Sequence, residues 1–203
     1  MSQPILEEIL ALEWEMFRNV KNIGGPASCQ EDQEAFYIMR TSQASAFSSA
    51  MLESYLEDLK VAQKTGHNLM TEKYARMMES TSPQEYEQLK SLLPPIHPEA
   101  QQYIDKIVPI VMEFEKQLAA EYPFVLKVGR PLYSTEDTQM ITSVETYLKG
   151  ELSTYSPKTL SIYYGDLLDY QKQGVNPSKI IMENTVKQYG YPSLEAANAS
   201  ING

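Results

Sequence analysis

The chain has 203 residues, 42% hydrophobic and 22% charged, which is enough apolar mass for a core and too little charge for extended disorder. Its 27 acidic and 17 basic residues leave a net charge of −10, which repels phosphates and argues against nucleic acid or an anionic membrane as partner. The single cysteine, Cys29, excludes an intrachain disulfide, and with two histidines it leaves too few ligands for a Cys/His zinc site.

The N-terminus has no basic segment followed by an uninterrupted apolar run, so no signal peptide is expected. No apolar stretch reaches the roughly 18 residues that a membrane span needs. A cytoplasmic location is the resulting expectation.

Helical punctuation dominates the chain. Ile5, Ile9, Leu12, Phe17 and Val20 recur at helical spacing after Pro4, and Gly24-Gly25-Pro26 is the expected stop. Ser28 offers an N-cap for a second helix through Phe36, Met39 and Arg40. Met51, Leu52, Tyr55, Leu56, Leu59 and Ala62 form the apolar stripe of a third, ended by Gly66. Asn68 or Thr71 can cap a fourth, and Ser82-Pro83-Gln84-Glu85 reads as a capping box opening a short fifth. Pro94-Pro95-Ile96-His97-Pro98 breaks the chain. A long helix follows, from Tyr103 to Leu118, with Pro109 inside it and Tyr122-Pro123 at its end. Further starts lie at Ser134 to Asp137, Ser156-Pro157, Asn176-Pro177 and Ser193. Only Phe124-Val125-Leu126-Lys127-Val128 looks extended.

The chain also resembles itself. Residues 45–68 align with 153–176 at an offset of 108 and share ten of 24 positions, where chance gives about one or two. The identities include polar residues that amphipathic periodicity does not demand, such as Ser48/Ser156, Asp58/Asp166, Gln63/Gln171 and Asn68/Asn176. Upstream, Gly25-Pro26 to Asp32 resembles Arg130-Pro131 to Asp137. Downstream, Glu72 and Arg76 face Glu183 and Lys187 at an offset of 111, three residues longer. The expected fold is all-α, with about eight or nine helices in two pseudo-symmetric repeats, about residues 1–97 and about 98–203, packed as one compact domain.

Several segments carry a family resemblance. They are Glu13-Trp14-Glu15-Met16-Phe17, Gly24-Gly25-Pro26-Ala27-Ser28-Cys29-Gln30, and Thr71 to Glu79. Glu145 to Leu152 and Met182-Glu183-Asn184-Thr185-Val186 complete the set. Together they resemble a bacterial family of unknown function, DUF4125, across nearly the whole chain. The resemblance implies a helical protein and carries no activity. Relatives that sit beside nucleotidyltransferase-like domains are the one functional connection it implies.

The densest polar segment is Thr71 to Glu79, where Glu72, Arg76 and Glu79 share a helical face. Such spacing suits a surface ion-pair ladder. It also suits a charged floor at the seam between repeats, with Glu72, Lys73 and Arg76 opposite Glu183, Asn184 and Lys187. Cys29 lies near an expected helix start, which favours its thiolate, but its repeat counterpart is Ser134 and neither histidine is close in sequence, so the leading reading is a small residue filling a cap position. Arg130, beside Ser134 and Thr135, can hold an anion at a helix start or stand exposed in its loop. Glu113, Glu115, Glu145 and Glu151 invite a di-metal carboxylate reading, but that site wants Glu-x-x-His and the chain has none. No P-loop, Gly-x-Gly-x-x-Gly, nucleophile elbow or His-Glu-x-x-His occurs.

No cofactor or metal is therefore implied. The leading expectation is a non-enzymatic helical binding or accessory protein with a polar cleft at the seam. Its partner would be a small polar ligand or another protein. The alternative is an enzyme of unrecognised class using a Glu/Arg/Lys-lined cleft, connected to nucleotidyl-transfer systems. A structural oligomer would need an exposed apolar patch. Nothing in the sequence sets the oligomeric state.

Overall fold

The computed structural model describes residues 3–21, 25, 27–127 and 129–202, and these form eleven α-helices and three short 3-10 turns with no strand. The helix count exceeds the expected eight or nine. One helix not expected from the sequence is the five-residue Pro123–Lys127, which occupies the segment read as extended.

The first helix, α1 (Gln3–Arg18), presents an unbroken buried stripe of Leu6, Ile9, Leu10, Glu13, Met16 and Phe17. It ends at Arg18, before the expected Gly24-Gly25-Pro26 stop, of which Gly24 and Pro26 lie outside the described residues. Gln30 seals this end, its side-chain amide donating to the carbonyls of Phe17 and Val20. Ser28 does not cap a long helix. It starts a 3-10 turn, Ser28–Gln30, and Asp32 caps α2 (Gln33–Ala44) by accepting from the Ala35 amide. Asp32 directly precedes the helical run, and a carboxylate at the N-cap also suits the positive end of the helix.

Ser48 caps α3 (Ser49–Thr65), which closes on Gly66 in the left-handed region, φ 74°. Only glycine takes that conformation without steric cost. Asn68 rather than Thr71 caps α4 (Leu69–Thr81). The short α5 (Pro83–Leu89) begins at Pro83 as expected, but the Ser82 side chain makes no cap bond. After the proline break comes α6 (Pro98–Glu121), 24 residues with Pro109 inside. Pro123 then opens α7 (Pro123–Lys127), so the segment read as extended is helical, with Val128 outside the described residues. Ser134 begins only a 3-10 turn, and the true cap of α8 (Val144–Leu152) is Ser143. Ser156 caps α9 (Pro157–Gln173), Asn176 caps α10 (Pro177–Gln188), and α11 (Leu194–Asn202) follows Ser193.

Helix α3 packs on α1, α9 packs on α6, and α3 and α9 meet each other. At that meeting the buried hydroxyls of Ser54 and Thr159 are 2.7 Å apart. Two further pairings cross between the halves: α4 packs on α8, and α10 packs on α2. The capping asparagines also bind distant carbonyls, Asn68 that of Met16 at 2.7 Å and Asn176 that of Phe114 at 2.8 Å. One apolar cluster runs through α1, α2, α3, α4, α6, α8 and α9, from Leu6 to Leu167. A smaller one joins Leu118, Tyr122, Val125, Val186, Leu194 and Ala197. No helix among the described residues is long and apolar enough to cross a membrane.

Candidate functional site

Four charged side chains meet inside this core. Glu13 sits on the apolar stripe of α1 and is fully buried. Arg40 of α2 binds both of its carboxylate oxygens, with Nε at 2.8 Å from Oε2 and Nη2 on Oε1. The same guanidinium reaches Glu151 of α8, Nη1 to Oε1 at 2.9 Å. Lys73 of α4, only 2% exposed, donates from Nζ to Glu151 Oε2 at 2.9 Å. Two anions and two cations therefore neutralise each other where water cannot. Taking such charges out of water costs several kcal/mol per ion unless each is paired.

Neutral groups complete the pairing. The Tyr55 hydroxyl donates to Glu13 at 2.6 Å, and the Tyr155 hydroxyl to Glu151 at 2.9 Å. Gln43 donates from Nε2 to Glu151 at 3.1 Å. Burial and the facing carboxylates push both phenols well above their ordinary range, so they remain donors at any physiological pH. Burial alone would raise the Glu151 carboxyl, but the Arg40 and Lys73 charges override it and hold it well below the usual carboxylate range.

The four helices can converge because α8 approaches α4 at a glycine. A Cβ on Gly150 would lie 2.8 Å from Met77 Cγ and 3.0 Å from the Lys73 carbonyl oxygen. This contact brings the Lys73 turn against the residue that precedes Glu151.

The network forms the floor of a cavity of about 670 Å³. Its walls are mostly apolar and aromatic, including Phe17, Phe36, Phe47, Met70, Tyr74, Val111, Tyr147, Leu148 and Tyr163. Arg40, Gln43, Lys73 and Glu151 give it its polar end. Glu115 also lines it; burial pushes its carboxyl upward, partly offset by a hydrogen bond from Ser178. Exposed Cys29, Asp32, Met39 and Arg130 stand around the opening. Lys73 Nζ lies 3.6 Å from the centre of the Tyr147 ring, and Arg130 Cζ 4.8 Å from it. Cations over an aromatic face are attracted by its quadrupole.

Three of the residues expected at a site line this cavity: Lys73, Arg130 and Cys29. The other five do not. Glu72 and Arg76 pair within α4 at 2.7 Å, and Arg76 also donates to the Pro94 carbonyl. Arg76 lines a separate, polar cavity of about 370 Å³ with Glu79, Ser80, Ser134, Thr146 and Lys149. Glu183 and Lys187 pair within α10 at 3.0 Å, and Glu183 accepts from the Leu194 amide. Asn184 donates to Ser45. Counted from the capping asparagines, Glu72 is the fourth residue of α4 and Glu183 the seventh of α10, so the two are out of register by nearly one turn.

Sequence reasoning missed Glu13, Arg40, Tyr55 and Tyr155, and weighed Glu115 and Glu151 only as di-metal carboxylates. For Glu13 a signal exists: it is the one charged residue on an otherwise apolar helical stripe. Glu151 carries a weaker one, lying between Gly150 and Leu152. No cluster of His, Cys, Asp or Glu among the described residues has the arrangement of a metal site.

The depressed Glu151 pKa links stability to acid. Because its folded value lies below the unfolded one, its contribution is complete above about pH 5 and is lost as pH falls from there. Glu115 acts with the opposite sign, since a raised carboxyl gains from protonation in the fold. Urea unfolding from pH 7 to pH 3 should therefore show stability falling below pH 5, with a shallower fall in Glu151→Gln. Equal slopes in the two proteins would count against the assignment.

No curated protein and no solved structure matches the chain. A match to the family described as "Protein of unknown function (DUF4125)" covers residues 3–199, and the chain belongs to that family.

Proposed function

We propose that this protein is a non-enzymatic cytosolic binding or accessory protein that holds a small molecule in the cavity between two duplicated halves. The observation that carries the reading is a 670 Å³ aromatic-walled space ending on a buried, mutually neutralised charge network. Spaces of about 300–1,000 Å³ with apolar walls and a few convergent polar groups are the usual form of a small-molecule site. Every charged group on the floor is already paired, which favours holding a ligand over turning one over.

Duplication of an ancestral unit is supported by matched devices at an offset of 108. Helices α3 and α9 both have 17 residues, begin at capping serines and end at left-handed glycines. Asn68 and Asn176 both cap the next helix while binding a carbonyl of the long first helix of their half. The exchange of partners between α4 and α8 and between α10 and α2 is reciprocal, as a pseudo-twofold arrangement requires. Gln43 and Glu151, equivalent positions under the same offset, are bonded to each other on the cavity floor.

A thermal-shift screen against small organic metabolites tests the reading. A ligand at about 100 times its Kd should stabilise the wild-type chain by about 2.7 kcal/mol. The same compound should leave Ala35→Trp unmoved, because Ala35 lines the cavity and an indole there fills it. Hits that stabilise both proteins equally would place binding elsewhere and defeat the proposal.

A further inference from the structure

The cations that line the cavity are not equivalent. Arg40 and Lys73 are buried and each is paired with carboxylates. Among the described residues of the lining, Arg130 alone is a cation with no ion pair; its one hydrogen bond runs from Nη1 to the Thr142 carbonyl at 3.0 Å. The guanidinium is exposed, and it is held over the Tyr147 ring at the opening. Two other carboxylates line the space. Asp32 is engaged in capping α2, and burial pushes the Glu115 carboxyl toward its neutral form.

We infer that the ligand is an amphipathic monoanion, an aryl or acyl carboxylate or a like acid, bound with its anionic head on Arg130 and its apolar body inward. This rests on the cavity being a ligand site and adds the ligand's charge and its direction. The interior admits an apolar body, since its walls are ring and aliphatic carbon. It rejects a second charge, since the floor network sums to zero and an added ion there would be buried without a partner. At the opening the balance reverses. Arg130 is water-accessible, carries unused donors in a planar fork, and is oriented by Tyr147, the arrangement that suits a carboxylate.

Two dyes with nearly the same body separate the claims: the anionic 1-anilinonaphthalene-8-sulfonate and the neutral N-phenyl-1-naphthylamine. Fluorescence titration of the folded chain should give binding of both, with the anion about fivefold tighter, as suits a partly exposed charge-assisted contact. Arg130→Gln should abolish that preference while the neutral dye binds as before, and Arg130→Lys should restore part of it. Ala35→Trp should lose both dyes, with far-UV circular dichroism confirming its fold. Equal affinities in the wild type, or an Arg130→Gln preference unchanged from wild type, would overturn the head-group assignment and leave the cavity reading standing. Absence of binding by both dyes, or undiminished binding in folded Ala35→Trp, would overturn the two together.

Discussion

Glu151→Ala should destabilise the protein by about 3–5 kcal/mol, the cost of leaving buried charge without its partner. The physical reason lies in what remains. Removing the carboxylate strands Lys73, whose ammonium pairs with no other anion among the described residues, and leaves Arg40 paired there with Glu13 alone. It also orphans the hydroxyl of Tyr155 and the amide of Gln43. For a chain of this size each kcal/mol lowers the melting temperature by about 2–4 °C, so a fall of about 6–20 °C is expected. Adding Lys73→Met to Glu151→Ala should recover about 1–2 kcal/mol, because it removes the stranded cation. That recovery separates an ion-pair role from simple loss of packing. If the double variant is less stable than the single one by the full cost of Lys73→Met alone, the coupling argued here is absent. Urea unfolding at pH 7 provides the numbers.

Gly150→Val should cost about 3 kcal/mol, the upper end of what an overpacked core site loses. Glycine in mid-helix normally gives up about 1 kcal/mol relative to alanine, so a substitution there would ordinarily stabilise. Here the added carbon meets Met77 Cγ at 2.8 Å and the Lys73 carbonyl at 3.0 Å. The methionine end can move aside; the carbonyl belongs to the α4 backbone and cannot move without its helix. Gly150→Ala should therefore bring no gain in spite of its propensity, and the branched valine should separate α4 from α8. Separation stretches the Lys73–Glu151 contact, so the valine variant should also lose dye or ligand binding in the cavity. A Gly150→Val protein as stable as wild type in urea would show that α8 is free to shift, and would remove glycine from the account of the site.

The largest effects thus fall on residues whose importance is not local. Of the eight residues that sequence reasoning put forward, Lys73, Arg130 and Cys29 line the large cavity. Glu72 and Glu183 attract attention as polar residues on recognisable helical faces, yet each is occupied by a cation four residues away on its own helix. Glu13, by contrast, is a single charge among Leu6, Ile9, Leu10, Met16 and Phe17, and its meaning appears only when Arg40 arrives from another helix.

What can be read directly from the chain is whatever its near neighbours decide. Capping serines and asparagines, left-handed glycines and helix-initiating prolines act over a few residues, so Ser48, Gly66, Asn68, Ser156, Gly174 and Asn176 announce their helices without a fold. The all-helical class follows from them, and so does the internal similarity. The same short range explains the failures: several capping residues stand close together before α2 and α8, and the structure uses Asp32 and Ser143 while Ser28 and Ser134 open 3-10 turns. Packing decided the rest. Residues 13, 40, 73 and 151 lie far apart along the chain, and only the docking of four helices, two of them brought close by Gly150, turns scattered charges into one neutral buried network beneath a cavity.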